Sequence, residues 1–282
     1  MSAPVTLIPA INIAAPRVDQ AETGLLSLAA DGTAQARAAG GDEPDRWMGG
    51  YAYRPLLPGN IVRNVSQITG SAGANVGAGS MPANVSTIPW TLEVEDSVST
   101  MILRYEDREA RARQIMEDYT SYLLERELWN GEIKGQDNLP NRVLAGPGTT
   151  VLTPGGTATP QTAVALLVGA LNRAGFPTVM IHAAKDVALR LPDGWRNANT
   201  LRDYGFVVVG GAGYPGTGPA AQAGPTWIYA TAMVNYRLGP IEVNFGDSNS
   251  YIDRASNTAT FRALRVGATD FAGPVYACQV AA

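Results

Sequence analysis

The chain has 282 residues, enough for one large domain or two modest ones, and 45% of them are apolar against 16% charged, which allows a sizeable core and argues against wholesale disorder. A formal net charge of −4 gives the surface no general attraction for phosphate backbones, so tight sequence-specific nucleic-acid binding is disfavoured. With one cysteine (Cys278) and one histidine (His182), neither an intramolecular disulfide nor a Cys/His zinc site can be assembled.

The opening MSAPVTLIPAINIAAPR has no basic n-region and is broken by prolines, so it does not read as a signal peptide. No run of 18 apolar residues occurs, and no membrane span is expected. A soluble, reducing compartment follows as the expectation. Residues 1–48 read as an arm: Ala, Gly, Asp and Pro dominate, and the apolar patches Val5 to Ile13 and Gly24 to Ala30 are too brief for a core. Such an arm either stays disordered or becomes ordered by lying across a neighbour.

Residues 51–95 suggest a two-stranded excursion. YAYRPLLPGNIVRNVS is β-rich, and STIPWTLEVEDS alternates Ile88, Trp90, Leu92 and Val94 inward against Pro89, Thr91, Glu93 and Glu95. The intervening Gly70 to Asn84 is small, soft and uncharged. A hairpin with such a tip has little to pack on within its own chain.

Residues 103–129 give the clearest helix. Ala112, Ile115, Tyr119 and Tyr122 recur at helical spacing, widened by Met116 and Leu123. Glu109, Arg113, Glu117, Asp118, Glu125 and Arg126 mark the opposite, solvated face, with Glu109–Arg113 an i, i+4 pair and Gly131 a stop. Residues 136–236 read as a compact α/β portion. Thr159 caps a helix with Pro160 at its first position and Gly175 as its stop. PTVMIHA is a buried strand, KDVALRL a short helix, DYGFVVVGG a second strand and TWIYATAMVNYRL a third. Residues 237–282 return to β structure, with Thr258, Thr260, Arg262, Leu264 and Val266 alternating against Ala259, Phe261, Ala263 and Arg265.

Gly211, Gly213 and Gly216 form a literal GxGxxG after a strand. A dinucleotide fingerprint needs the third glycine to open a helix, and Pro215, Pro219 and Gly218 prevent one, so a glycine-rich loop is expected and no cofactor. His182 reads as a satisfied structural histidine and Cys278 as a small core hydrophobe. Glu93, Glu95 and Asp96 cluster at a strand end without the marks of an acid/base pair. No GxSxG elbow occurs. The expectation is no catalytic, no cofactor-binding and no metal residues, hence no enzyme.

Together with WIYATAMVNYRLGPIEV, IDRASNTATFRALRVGA and the helix ending ERELWNG, this order of parts resembles the major capsid proteins of tailed bacteriophages, the Hong Kong 97-type fold, and most closely those of actinobacterial phages. The resemblance covers essentially the whole chain. It implies an α+β fold with an N-terminal arm (1–48), an extended β-hairpin loop (49–95), a peripheral domain with a spine helix (96–135), an axial domain (136–236) and returning peripheral strands (237–282). It further implies hexamers and pentamers that form an icosahedral head around double-stranded DNA, without sequence-specific binding and without a membrane. The expected location is the virion, after assembly in the host bacterial cytoplasm. The implied partners are the chain itself, a separate scaffolding protein (the chain begins almost at the arm, with Met1), a portal and a decoration protein. Some shells of this kind are welded by Lys–Asn bonds from the extended loop; residues 51–95 contain no lysine, so no covalent chain-mail is expected. The alternative is an encapsulin-like compartment of the same fold around a cargo enzyme. The remaining alternative is a nucleotide-binding enzyme that uses the glycine loop.

Overall fold

Two five-stranded sheets and one long helix between them organise the computed structural model, which describes residues 24–39, 42–43, 45–49, 51–53, 85–99, 105–131, 141–219, 226–243, 252–253 and 255–281. The apolar stretch Val5 to Ile13 and the soft tip Gly70 to Asn84 lie outside these residues.

The first sheet is built around β11 (Thr258–Phe271). One edge pairs antiparallel with β4 (Trp90–Ser99), from Thr258 opposite Ser99 to Gly267 opposite Trp90. The other edge pairs with β9 (Val234–Val243) and, further along, with β10 (Ile252–Asp253). The strand β1 (Ala30–Asp31) adds to β9 in parallel. The alternation expected for β11 is present: Ala259, Phe261 and Ala263 are buried, and Arg262 is exposed. Gly267 is required where β11 passes Trp90, because any Cβ there would overlap the indole.

The spine is α3 (Tyr105–Asn130). Ala112, Met116, Thr120, Leu124 and Leu128 form its buried row, one residue every turn, against Trp90, Leu92 and Phe261. This corrects the stripe drawn through Ile115, Tyr119 and Tyr122: Tyr119 is 48% exposed. Toward the C-terminal end the helix is enclosed on more of its circumference, so Glu125, Glu127 and Trp129 are buried as well, while Arg126 and Asn130 stay half-buried. Glu125, placed on the solvated face by its charge, is 1% exposed. Gly131, in the left-handed region at φ 67°, ends the helix, its N–H bonded to Glu127 O.

The second sheet has the order β5 (Thr150–Val151), β12 (Tyr276–Gln279), β8 (Trp227–Thr231), β6 (Val179–Ala184) and β7 (Phe206–Gly211). Both of its faces are covered, which explains the unbroken apolar runs of β6 and β7. On one face Ile181, Val208, Ile228 and Cys278 pack under α4 (Pro160–Arg173) through Val164, Leu167 and Leu171. On the other face Met180, Val207, Tyr229 and Ala277 join the core of the spine helix and first sheet. As expected, Thr159 caps α4, accepting from Thr162 N, and Pro160 is its first residue.

Further expectations fail for identifiable reasons. TWIYATAMVNYRL is not one strand: β8 ends at Thr231 in the second sheet and β9 starts at Val234 in the first, so the chain changes sheets at Ala232–Met233. Strand propensity is the same on both sides of this bend, which hides it from periodicity. β12 lies in the second sheet, so the strands of 237–282 do not all join one sheet. Among the described residues of 51–95, β2 (Tyr51–Tyr53) and β3 (Val85–Thr87) pair as a loop root, whereas β4 belongs to the first sheet. At its start Ile88 is 40% exposed and Pro89 is buried, the reverse of the expected parity, because Asn141 holds Ile88 through both its N–H and its C=O.

Candidate functional site

Two polar centres stand out from the apolar interior, and each joins segments far apart in sequence. The first lies where the spine helix, the second sheet and the arm meet. Glu125 accepts the N–H of Leu25 at 2.9 Å and the N–H of Gly213 at 2.8 Å, one on each carboxylate oxygen. Leu25 opens α1 (Leu25–Leu28), so the arm is pinned at this point. Leu25 is itself fully buried, against the expectation that the patch Gly24 to Ala30 joins no core. Burial pushes the Glu125 carboxyl up, and the two N–H bonds, Ser121 and Lys185 draw it back down.

The GxGxxG loop packs on this centre. A Cβ on Gly213 would overlap the Tyr122 carbonyl oxygen of the spine helix, and one on Gly211 would reach 2.8 Å from the Glu125 carboxylate. These glycines therefore serve close backbone approach of the loop to the helix. Gly216, at φ 72°, closes the turn, with Trp227 N bonded to its carbonyl.

Next to the loop, His182 is fully buried with both ring nitrogens bonded. Thr231 Oγ1 donates to Ala232 O at 2.7 Å, so it accepts from His182 Nε2–H at 2.8 Å. Nδ1 is then the acceptor for the Tyr214 hydroxyl at 2.9 Å. Burial holds the imidazole neutral, with its pKa lowered to about 3. This is the satisfied structural histidine read from the sequence, and it sits beside the bend where the chain changes sheets. Trp129 completes the junction: its indole N–H reaches Thr217 O at 3.1 Å, and its ring lies 4.7 Å from that of Tyr229, edge-on.

The second centre is the loop root. Tyr51 Oη donates to Asp270 Oδ2 at 2.6 Å and accepts from Arg237 Nη1 at 2.8 Å. Arg237 also pairs directly with Asp270. Asn235 Nδ2 donates to the other Asp270 oxygen at 3.2 Å. The Arg237 guanidinium lies over the Tyr51 ring, 4.2 Å from its centroid. Burial and the Asp270 charge raise the Tyr51 pKa, so the phenol stays a donor. Asp270 is buried, and both of its carboxylate oxygens are bonded, which offsets part of the desolvation of the ion pair.

The remaining sequence candidates are not brought together. Glu93 and Glu95 pair with exposed Arg262 at 3.4 and 2.9 Å, and Asp96 with Arg111 at 3.2 Å on the opposite face of β4. Cys278 is buried in the core under α4, and burial pushes its thiol up to about 11. Among the described residues no group of His, Cys, Asp or Glu is placed to hold a metal ion, and no helix is long and apolar enough to cross a membrane. Sequence reasoning missed Glu125, Tyr51, Arg237 and Asp270. Only Glu125 left a trace, as an acid flanked by Leu124, Leu128 and Trp129.

No protein-family model matches the chain, and no curated protein matches it. Solved structures do. A chain from Mycobacterium phage Ogopogo shares 16% identity at a TM-score of 0.55 over 99% of this chain and 97% of that one. The capsid of the empty GTA particle shares 14% at 0.57 over 98% and 96%, and that of the native GTA particle 13% at 0.54 over 98% and 96%. At such identities the likeness is one of fold, and it runs from end to end. The fold is therefore α+β and the one these chains share. More particularly it is the Hong Kong 97-type fold that the sequence resemblance implied.

Proposed function

We propose that the chain is the major capsid protein of a tailed bacteriophage, assembling as hexamers and pentamers into an icosahedral head around double-stranded DNA. The observation that carries this reading is the end-to-end fold match to the GTA particle capsid. The two polar centres support it. Both are spent on fixing segments distant in sequence, the arm at Glu125 and the loop root at Tyr51, and neither presents an open catalytic group. Catalysis is absent from this reading, and so is any cofactor. A net charge of −4 suits a wall that must not hold its DNA tightly. The scaffold, portal and decoration proteins, the virion location and assembly in the host cytoplasm follow from the same reading. With no lysine in residues 51–95, the shell is held by buried area and interlocked segments rather than covalent links.

Sedimentation and negative-stain imaging of the expressed chain, alone and with a scaffolding protein, test this. Shells, hexamers or pentamers are expected. A monomer under every condition would overturn the reading, and shells that carry a cargo enzyme in place of DNA would reassign it to a cellular compartment.

A further inference from the structure

The last part of the arm wraps the outer edge of β9, and it does so residue by residue. β1 pairs with Asn235 and Tyr236. Gly32 N donates to Tyr236 O at 2.8 Å. Thr33, the first residue of α2 (Thr33–Ala39), accepts the N–H of Leu238 at 3.0 Å on its hydroxyl. Beyond it, the 3-10 turn Arg46–Gly49 lays Met48 against Gly239, where a Cβ would come 2.9 Å from the Met48 methyl. The chain then enters β2 at Tyr51.

Arg237 stands at the centre of this wrap. A Cβ on Gly32 would lie 3.2 to 3.3 Å from three guanidinium atoms of Arg237, so the arm backbone at Gly32 is in contact with the guanidinium. The same guanidinium binds Tyr51 Oη and Asp270 and covers the Tyr51 ring. Its Nε is buried and has no hydrogen-bond partner among the described residues, so packing, as well as hydrogen bonding, fixes its plane. The arm at Gly32 and the loop root at Tyr51 therefore touch one side chain that has one place to go.

We propose that Arg237 is a positioning residue that couples the arm to the loop: seating Ala30–Thr33 on β9 sets the guanidinium, and the guanidinium sets the direction in which the loop leaves through Tyr51. The two segments that reach other subunits in the proposed function are then not independent. A subunit whose arm is displaced carries a loosened loop, and the reverse holds, because a coupling free energy is reciprocal. The coupling rests on the capsid reading only for its use in assembly; the contact itself is a property of the single subunit.

Hydrogen exchange read by mass spectrometry on the full-length, unassembled chain tests it. Gly32→Val changes the arm where it meets the Arg237 guanidinium. It is expected to speed exchange of the β2–β3 ladder amides about tenfold, within the usual range of inter-site coupling. Tyr51→Phe alters only the loop side and keeps the ring. It is expected to speed exchange at Gly32 N–H, with the double variant no worse than the more severe single one. Amides of β8 report global unfolding and should keep their protection. Should Gly32→Val fail to fold, Tyr51→Phe with the exchange of the arm peptide decides alone. The proposal is overturned if each substitution affects only its own segment and the two effects add. Because exchange is measured on subunits, this outcome is independent of whether the chain builds shells.

Discussion

Glu125 on the spine helix and Gly213 on the glycine loop meet at 2.8 Å, the loop N–H donating to a carboxylate whose other oxygen holds Leu25 N of the arm. Only a carboxylate offers two acceptors with no donor at this point. Glu125→Gln must turn an NH2 toward one of the two amides and is expected to cost about 1–3 kcal/mol by urea unfolding, the usual penalty for a buried unpaired donor. Glu125→Ala should cost more, since it strands both amides and opens a cavity. An unchanged midpoint for both variants would contradict the pinning role.

Glycines on the same sequence behave differently according to what faces them. Gly213→Ala would drive its methyl into a backbone carbonyl that cannot move aside, so a loss of about 3 kcal/mol or more is expected. Gly156, with nothing within 4 Å of its Cβ direction, should accept Ala within about 0.5 kcal/mol. Melting temperatures in the absence of any nucleotide provide the comparison. Addition of NAD, FAD or ATP should shift none of them, and a shift would return the loop to cofactor binding.

The stability of the junction should depend on His182 and pH in a defined sense. Its folded pKa of about 3 lies below the unfolded value near 6.5, so its contribution is whole above pH 6.5. As pH falls toward 3 that contribution is lost, because only the unfolded chain takes up the proton, at about 1.4 kcal/mol per pH unit. His182→Gln removes the titration. It should be the less stable form at pH 7, and the wild-type chain should lose about 2 kcal/mol more than the variant between pH 7 and pH 5. Parallel pH dependences would contradict the buried, neutral imidazole.

Truncation should separate the arm into two functional parts. Removing residues 1–40 takes away Leu25, β1 and Thr33, and is expected to weaken the fold itself. Removing residues 1–23 touches none of these contacts. The shorter deletion should leave unfolding of the subunit unchanged and lower the yield or heat resistance of shells. Normal shells from it would show that this part of the arm plays no role in assembly. A denaturing gel of mature particles should show a single monomer band, and a ladder would reveal the covalent links that the missing loop lysines argue against.

Much of this architecture was legible because local rules decide it. Thr159–Pro160 fixes the start of α4, the alternation of Ala259, Phe261 and Ala263 fixes the face of β11, and the two-sided burial of β6 follows from its unbroken apolar run. The failures share a different cause: tertiary enclosure. Glu125 reads as solvated because charge predicts exposure, yet the end of the spine helix is surrounded by arm, loop and both sheets. Tyr51, Arg237 and Asp270 are 186 and 33 residues apart along the chain, and no spacing rule connects them. The glycine loop reads from the sequence as a loop that opens no helix, but what requires glycine at 213, the Tyr122 carbonyl, exists only once the spine helix is in place.

A cryo-EM reconstruction of DNA-filled particles tests most directly whether this chain builds the shell. Pentamers and hexamers of this one chain are expected, with the loop rooted at Tyr51 lying on a neighbouring subunit. A shell wall formed by a different protein, with this chain absent or confined to a tail or an interior position, would contradict that role.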